Sequence, residues 1–216
     1  MLAIFCSTLL TTGFCFSETP KYVDVGGDNL PACTDILKVW IDNDATYLRF
    51  KFEINASVDQ YVYPYYLAFI ALDNSTGWNY GWDLPIDCYI SLAISPLGQV
   101  FSAFSDANVS NYLSDPISVG IMYYAFSNNN RTVEFGYKIR TSYLGAGYLN
   151  VSTGQTIYLK LMGDTDSDEV PDSAALISYT IKQGSGGIPG FDLLFLNLAI
   201  FAVGAYYFLT RKKELI

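Results

Sequence analysis

Between Ile36 and Ile181 the chain alternates apolar and polar positions in short runs. Tyr47–Ile54 is the clearest: Leu48, Phe50, Phe52 and Ile54 are interleaved with Tyr47, Arg49, Lys51 and Glu53. A period of two marks a strand with one face in a core. Ile36–Asp42 precedes it through Asn43-Asp44, residue types that tolerate the left-handed turn of a tight hairpin. Tyr65–Leu72 is nearly continuously apolar and reads as a central strand buried on both faces; Asp73–Gly77 ends it. Asp87–Ile94 and Val100–Phe104 flank Pro96-Leu97-Gly98, and Val119–Phe126 and Thr132–Ile139 flank Asn128-Asn129-Asn130. Gln155–Met162 and Leu176–Ile181 complete about nine predicted strands. No convincing amphipathic helix interrupts them; Thr141–Leu144 is at most one turn. An all-β antiparallel two-sheet sandwich, jelly-roll-like, is the expected fold.

The two ends follow a different pattern. Residues 191–210 are mainly apolar, with Asp192 and Asn197 as polar interruptions. At about 1.5 Å per residue that is the length a helix needs to cross a membrane. Arg211, Lys212 and Lys213 follow, which predicts a cytoplasmic tail over 211–216. A Gly/Ser/Pro neck at 184–190 separates this transmembrane or sorting helix from the domain at 18–183. Met1–Phe16 is apolar, and Cys15 and Ser17 fit the small positions before a signal-peptidase cut, so 1–17 is expected to be a signal peptide. The domain is therefore expected outside the cell, anchored in the cell membrane.

Composition narrows the function. The net charge is −9, and an acidic surface repels phosphate backbones, so nucleic acid is not an expected partner. The chain has no histidine, which removes His–Asp catalytic pairs, histidine zinc sites and histidine-ligated haem. No base beyond carboxylate, Tyr or Lys is present to activate a nucleophile, so an enzyme is not expected. Of four cysteines, Cys6 and Cys15 fall in the signal; Cys33 and Cys88 remain, an even pair in an exported domain, and a disulfide between them is expected. Asn-X-Ser/Thr sequons at Asn55, Asn74, Asn108, Asn130 and Asn150 sit in predicted turns or strand ends, where a glycan fits.

Two family resemblances sit on quoted residues. Pro189-Gly190-Phe191, an apolar span and a basic cluster resemble the PGF-CTERM sorting signal of archaeal surface proteins. That resemblance implies cleavage near the tripeptide and replacement of the helix by a lipid. Asp35-Ile36, Val39–Asp44 and Tyr47–Phe50 resemble the opening of family 9 carbohydrate-binding modules and DOMON sandwiches. Tyr66–Asp73 with Gly77 and Asp87–Ile90, and then Glu134–Ile139 with Tyr143-Leu144, resemble their later hairpins. The resemblance implies a β-sandwich. DOMON haem is held by axial Met and His, and without histidine no haem is expected here.

Two stretches carry candidate chemistry. In Gly163–Asp172, Asp164, Asp166 and Asp168 recur at every second position, with Asp172 beyond. Such spacing can turn carboxylates around one hard cation, so a structural Ca²⁺ is expected there. Asp42, Asn43 and Asp44 form a second possible oxygen cluster. Trp78, Tyr80, Trp82 and Asp83 lie together in a predicted loop spaced by Gly and Asn. Aromatic faces stack on sugar rings while Asn and Asp bond hydroxyls, so these are the expected ligand-binding residues; the same aromatics can instead fold back and cap the sandwich. Tyr61, Tyr63, Tyr65 and Tyr66 can extend that surface. The expectation is a membrane-anchored surface protein that binds a glycan or another extracellular ligand without transforming it. Its alternative is a structural or adhesive subunit of a surface layer.

Overall fold

The computed structural model describes residues 16, 19–24, 32–60, 64–72, 77–95, 97–107, 112–139, 149–164 and 168–183. Within them lie twelve strands: β1 (Tyr22–Val23), β2 (Ile36–Asn43), β3 (Tyr47–Ile54), β4 (Tyr65–Ala71), β5 (Cys88–Ile94), β6 (Val100–Asp106), β7 (Leu113–Ser114), β8 (Met122–Ser127), β9 (Thr132–Lys138), β10 (Thr156–Gly163), β11 (Asp168–Val170) and β12 (Ile177–Thr180). A single 3-10 turn, Val58–Gln60, follows β3, and no α-helix occurs among the described residues. The protein is all-β, with two antiparallel sheets. One has five strands in the order β1-β2-β3-β9-β8. The other has seven: β11-β10-β4-β5-β6-β7, with β12 also on β10. Along β10, Thr156–Leu159 pair with β12 and Leu161–Gly163 with β11, so two short strands share one edge.

The period of two sets the packing. Leu48, Phe50, Phe52 and Ile54 of β3 enter the same core cluster as Tyr66, Ala68 and Ile70 of β4, joined by Ile90, Phe135 and Leu159. Phe52 meets Tyr66 at 6.1 Å between ring centroids, and Phe104 stacks on Tyr137 at 5.1 Å, so ring pairs join the two sheets across the shared core. Fully burying one such side chain contributes about 1.5–3 kcal/mol. The alternate residues of β4, Leu67, Phe69 and Ala71, enter a second, smaller cluster with Ile86 and Met162. This is why β4 is apolar at every position.

Turn chemistry fixes the register. Asn128, Asn129 and Asn130 all take left-handed φ, 53°, 52° and 60°, between β8 and β9; Asn visits that region more readily than other side chains. At the β2–β3 turn, the Asp44 carboxylate accepts the N–H groups of Thr46 and Tyr47 at 2.6 and 2.8 Å.

The expected Cys33–Cys88 bond is absent: both are buried free thiols. The Cys33 carbonyl accepts the Tyr66 hydroxyl near the start of β4, whereas Cys88 pairs with Ile70 near its end. A disulfide needs α-carbons within about 7 Å, and the two cysteines are anchored at different positions along β4. No described helix is long and apolar enough to cross a membrane. The expected signal peptide at 1–17, apart from Phe16, the neck at 184–190, the expected spanning segment at 191–210 and the tail at 211–216 lie outside the described residues.

Candidate functional site: an aromatic cavity on the seven-stranded sheet

The outward side chains of β4 start the site. Tyr65, Leu67 and Phe69 share one face by strand alternation. Pairing sets Tyr89 of β5 opposite Phe69, and Met162 of β10 opposite Leu67. Glu169 of β11 lies opposite Met162 on the far side. Tyr80 and Trp82 come over these residues from the β4–β5 connection. Together they line a cavity of about 420 Å³, within the usual range for small ligands.

Local backbone chemistry holds the loop. Trp78 and Ile86 exchange both backbone hydrogen bonds, at 2.9 and 3.0 Å. Gly77 permits this approach, since a Cβ there would stand 2.4 Å from the Ile86 carbonyl oxygen. Asn79 Oδ1 accepts the Gly81 N–H at 2.9 Å, and Gly81 takes a φ of 84°. The Asp83 N–H donates to the Ala174 carbonyl at 3.0 Å. The rings then interlock around Phe69: Tyr80 at 5.4 Å and Trp82 at 5.2 Å edge to face, and Tyr89 tilted at 5.9 Å between centroids.

Lys160 fixes the polar wall. Its side chain is fully buried, and its Nζ pairs with Glu169 Oε2 at 3.0 Å. The same ammonium donates to the carbonyls of Pro171 and Ser173 and lies 5.4 Å from the Trp82 ring centre. Trp82 Nε1 donates to the same Glu169 oxygen at 3.1 Å. One buried cation thereby neutralises the cavity's one carboxylate and holds its main aromatic wall. Burial first, and then the neighbouring phenols of Tyr65, Tyr112 and Tyr80, push the Tyr89 phenol above its ordinary value. Several hydroxyls therefore converge at the cavity's rim.

Of the residues expected to bind ligand, Tyr80 and Trp82 line the cavity and Trp78 and Asp83 do not. Trp78 packs half-buried on Tyr89 at 5.7 Å, behind the rim. The Asp83 side chain is exposed outside it. Tyr65 joins the lining, Tyr66 points into the core, and Tyr61 and Tyr63 lie outside the described residues. Leu67, Phe69, Tyr89 and Met162 were legible only as strand residues, and Glu169 only as a member of the acidic loop.

The acidic loop is rearranged relative to expectation. Asp168 and Asp172 meet Asp24, near the N-terminal strand, with carboxylate oxygens within 4.8 Å of one another. This is a donor set that a hard cation such as Ca²⁺ takes. Asp164 lies apart, in a turn at a φ of 67° with its N–H on the Tyr65 carbonyl, and Asp166 is outside the described residues. The Asp42–Asp44 stretch is closed by cations and hydrogen bonds instead of forming an open oxygen cluster. Asp42 pairs with Lys182 at 2.8 Å and Arg49 at 3.6 Å, and Asn43 Oδ1 accepts the Tyr179 hydroxyl at 2.8 Å. Among the sequons, Asn150 is exposed, while Asn55 and Asn130 are half-buried with Nδ2 on Asp35 and Asp59, each at 2.8 Å. Asn74 and Asn108 lie outside the described residues.

No protein-family model matches the chain, and no curated protein matches it. Its class rests on two antiparallel sheets and on the chemistry of the cavity.

Proposed function

We propose that this is a non-catalytic glycan-binding module: a jelly-roll-like β-sandwich displayed on the cell exterior and held to the cell membrane by its C-terminal segment. The observation that carries the reading is the cavity lined by Tyr65, Phe69, Tyr80, Trp82 and Tyr89. Flat apolar ring faces suit the flat faces of pyranose rings, and the phenols at the rim suit sugar hydroxyls. Charge favours a neutral ligand. Glu169 is already matched by Lys160, so the cavity offers a cationic ligand no unspent negative charge. The exterior location rests on the two apolar ends and on the sequons, and the Asp24–Asp168–Asp172 trio supports a structural Ca²⁺ site.

A glycan array probed with the purified protein tests this. Binding to a neutral glycan, weakened at least tenfold by Trp82→Ala and little by Trp78→Ala, is the expected result. An array without signal on any neutral glycan removes the proposal.

One observation favours the surface-layer alternative. β8 is an edge strand, Met122–Ser127, that carries no charged residue and leaves Tyr124 exposed. Uncharged edges are templates for pairing with another chain. Concentration-dependent assembly in sedimentation, without sugar binding, would select that reading.

A further inference from the structure

The aromatic character of the outer face continues past the cavity. β5, β6 and β7 extend the seven-stranded sheet beyond β4. Strand pairing sets Ala93 opposite Phe101 and Ala103 opposite Ser114. Continued by one residue, the β6–β7 register places Tyr112 opposite Ser105, in the row of Tyr89 and Phe69. Phe101 and Tyr112 are large side chains left about half exposed, at 53% and 49%. Between their two rows the floor is small: Ser91 is buried, Ala103 is partly exposed and Ser114 is exposed, with partly exposed Ala93 beside Phe101. The result is a shallow trough flanked by rings and continuous with the cavity rim at Tyr89. Tyr112 lies near enough to Tyr89 for its phenol to help raise that of Tyr89, after burial and Tyr65.

The trough is also uncharged. Every outward residue of β5, β6 and β7 is Tyr, Phe, Ser or Ala, in a chain of net charge −9. From β4 to β7 is three strand spacings, roughly 14 Å at about 4.8 Å each. A single sugar ring held in the cavity leaves this face bare. A neutral chain of rings covers both, stacking at Tyr80 and Trp82 and again at Phe101 and Tyr112.

We infer that the ligand is an oligosaccharide chain of neutral sugars several rings long, with Tyr112 and Phe101 as outer contacts beyond the cavity. This rests on the glycan-binding reading, and the test separates the two. The full chain, purified in detergent, is titrated calorimetrically with β-1,4-linked oligomers of glucose, mannose and N-acetylglucosamine, from one to six units. β-1,4 linkage keeps successive rings flat and extended, which a shallow trough requires. In at least one series, affinity should rise tenfold or more between one and four units. Tyr112→Ala and Phe101→Ala should each remove most of that gain and leave single-sugar affinity unchanged. Both side chains are half exposed, and an unaltered sheet signal in circular dichroism checks that the variants fold.

Affinity independent of length, or a gain that survives both substitutions, overturns the inference and leaves the cavity reading standing. No heat with any oligomer at millimolar concentration overturns both. Dimerisation through this face, abolished by Tyr112→Ala, also overturns the extended-chain inference.

Discussion

The two sheets turn different outer faces away from the core. On the five-stranded sheet, polar groups are spent on one another. Lys38 pairs with Glu53 at 3.0 Å, Arg49 with Asp42 at 3.6 Å, and Lys51 covers the Trp40 ring at 4.5 Å. Tyr123 lies across Gly136 and donates to Glu134 at 2.9 Å, with Tyr47 edge-on at 5.1 Å. Burial pushes the Glu134 carboxyl up, although Tyr123, Arg49 and Lys51 pull it down. On the seven-stranded sheet, the ion pair Lys160–Glu169 stands beside rings that line open space. Both faces hold aromatics, but most of the charge lies on the five-stranded face. What also separates them is whether the partners are intramolecular. A face whose groups all meet each other stabilises the fold; one whose ring faces stay uncovered can take a ligand.

That contrast can be broken in several ways, and the largest effect is alkaline. Burial first, with carboxylate neighbours at Tyr123 and Tyr179, raises the phenols of Tyr123, Tyr137 and Tyr179 well above the ordinary value of about 10. A raised pKa in the folded state means the stabilisation is whole below pH 10 and is lost as pH climbs through the folded values. Above pH 10 the unfolded chain ionises these phenols and the folded one does not. Tyrosinate absorbance should therefore rise together with loss of the sheet signal in one cooperative step. Ionisation of all 18 tyrosines with the sheet signal intact would contradict this.

Lys160→Met attacks the other face. It strands Glu169 and the carbonyls of Pro171 and Ser173, and leaving buried acceptors without a donor should cost about 3 kcal/mol. Urea denaturation measures this, and Trp82 fluorescence should shift as its wall loosens. An unchanged midpoint would show that Lys160 is dispensable.

Gly136→Ala sharpens the five-stranded side. Its Cβ would stand 2.2 Å from Tyr123 Cε1. The ring must swing away and release Glu134, at a cost of about 2 kcal/mol. Sugar binding on the opposite sheet should stay as it was; a parallel loss of binding would mean the two faces are coupled.

The smallest expected effect is Ca²⁺. At ten times its dissociation constant, a cation on Asp24, Asp168 and Asp172 adds about 1.4 kcal/mol. Millimolar Ca²⁺ should raise the melting temperature, and Asp172→Asn should remove the rise. A melting curve indifferent to Ca²⁺ dismisses the site.

Much of the fold was legible in the sequence because alternation over six to eight residues is a strong signal. Each of the nine expected strands is present with ends shifted by three residues or fewer, and Tyr47–Ile54 is unchanged. Tyr22–Val23, Leu113–Ser114 and Asp168–Val170 were not expected, because two or three residues have no period to read. The cavity was only half legible. Trp78 and Trp82 look alike along the chain, and the bridge to Ile86 decides which one is packed behind the rim. Tyr65, Phe69 and Tyr89 become neighbours only through β4–β5 pairing. The disulfide expectation failed for the same reason: parity in number says nothing of position along β4.

The last described strand has one further property. Beyond β12, Lys182 is fastened twice to the opposite sheet: its N–H to Asn43 Oδ1 and its ammonium to Asp42, both at 2.8 Å. Tension arriving from the C-terminal side of Gln183 therefore meets this double latch before it can peel β12 from β10. Shear stress on a tethered copy would be borne by a polar clasp at the margin, leaving the aromatic surface in shape.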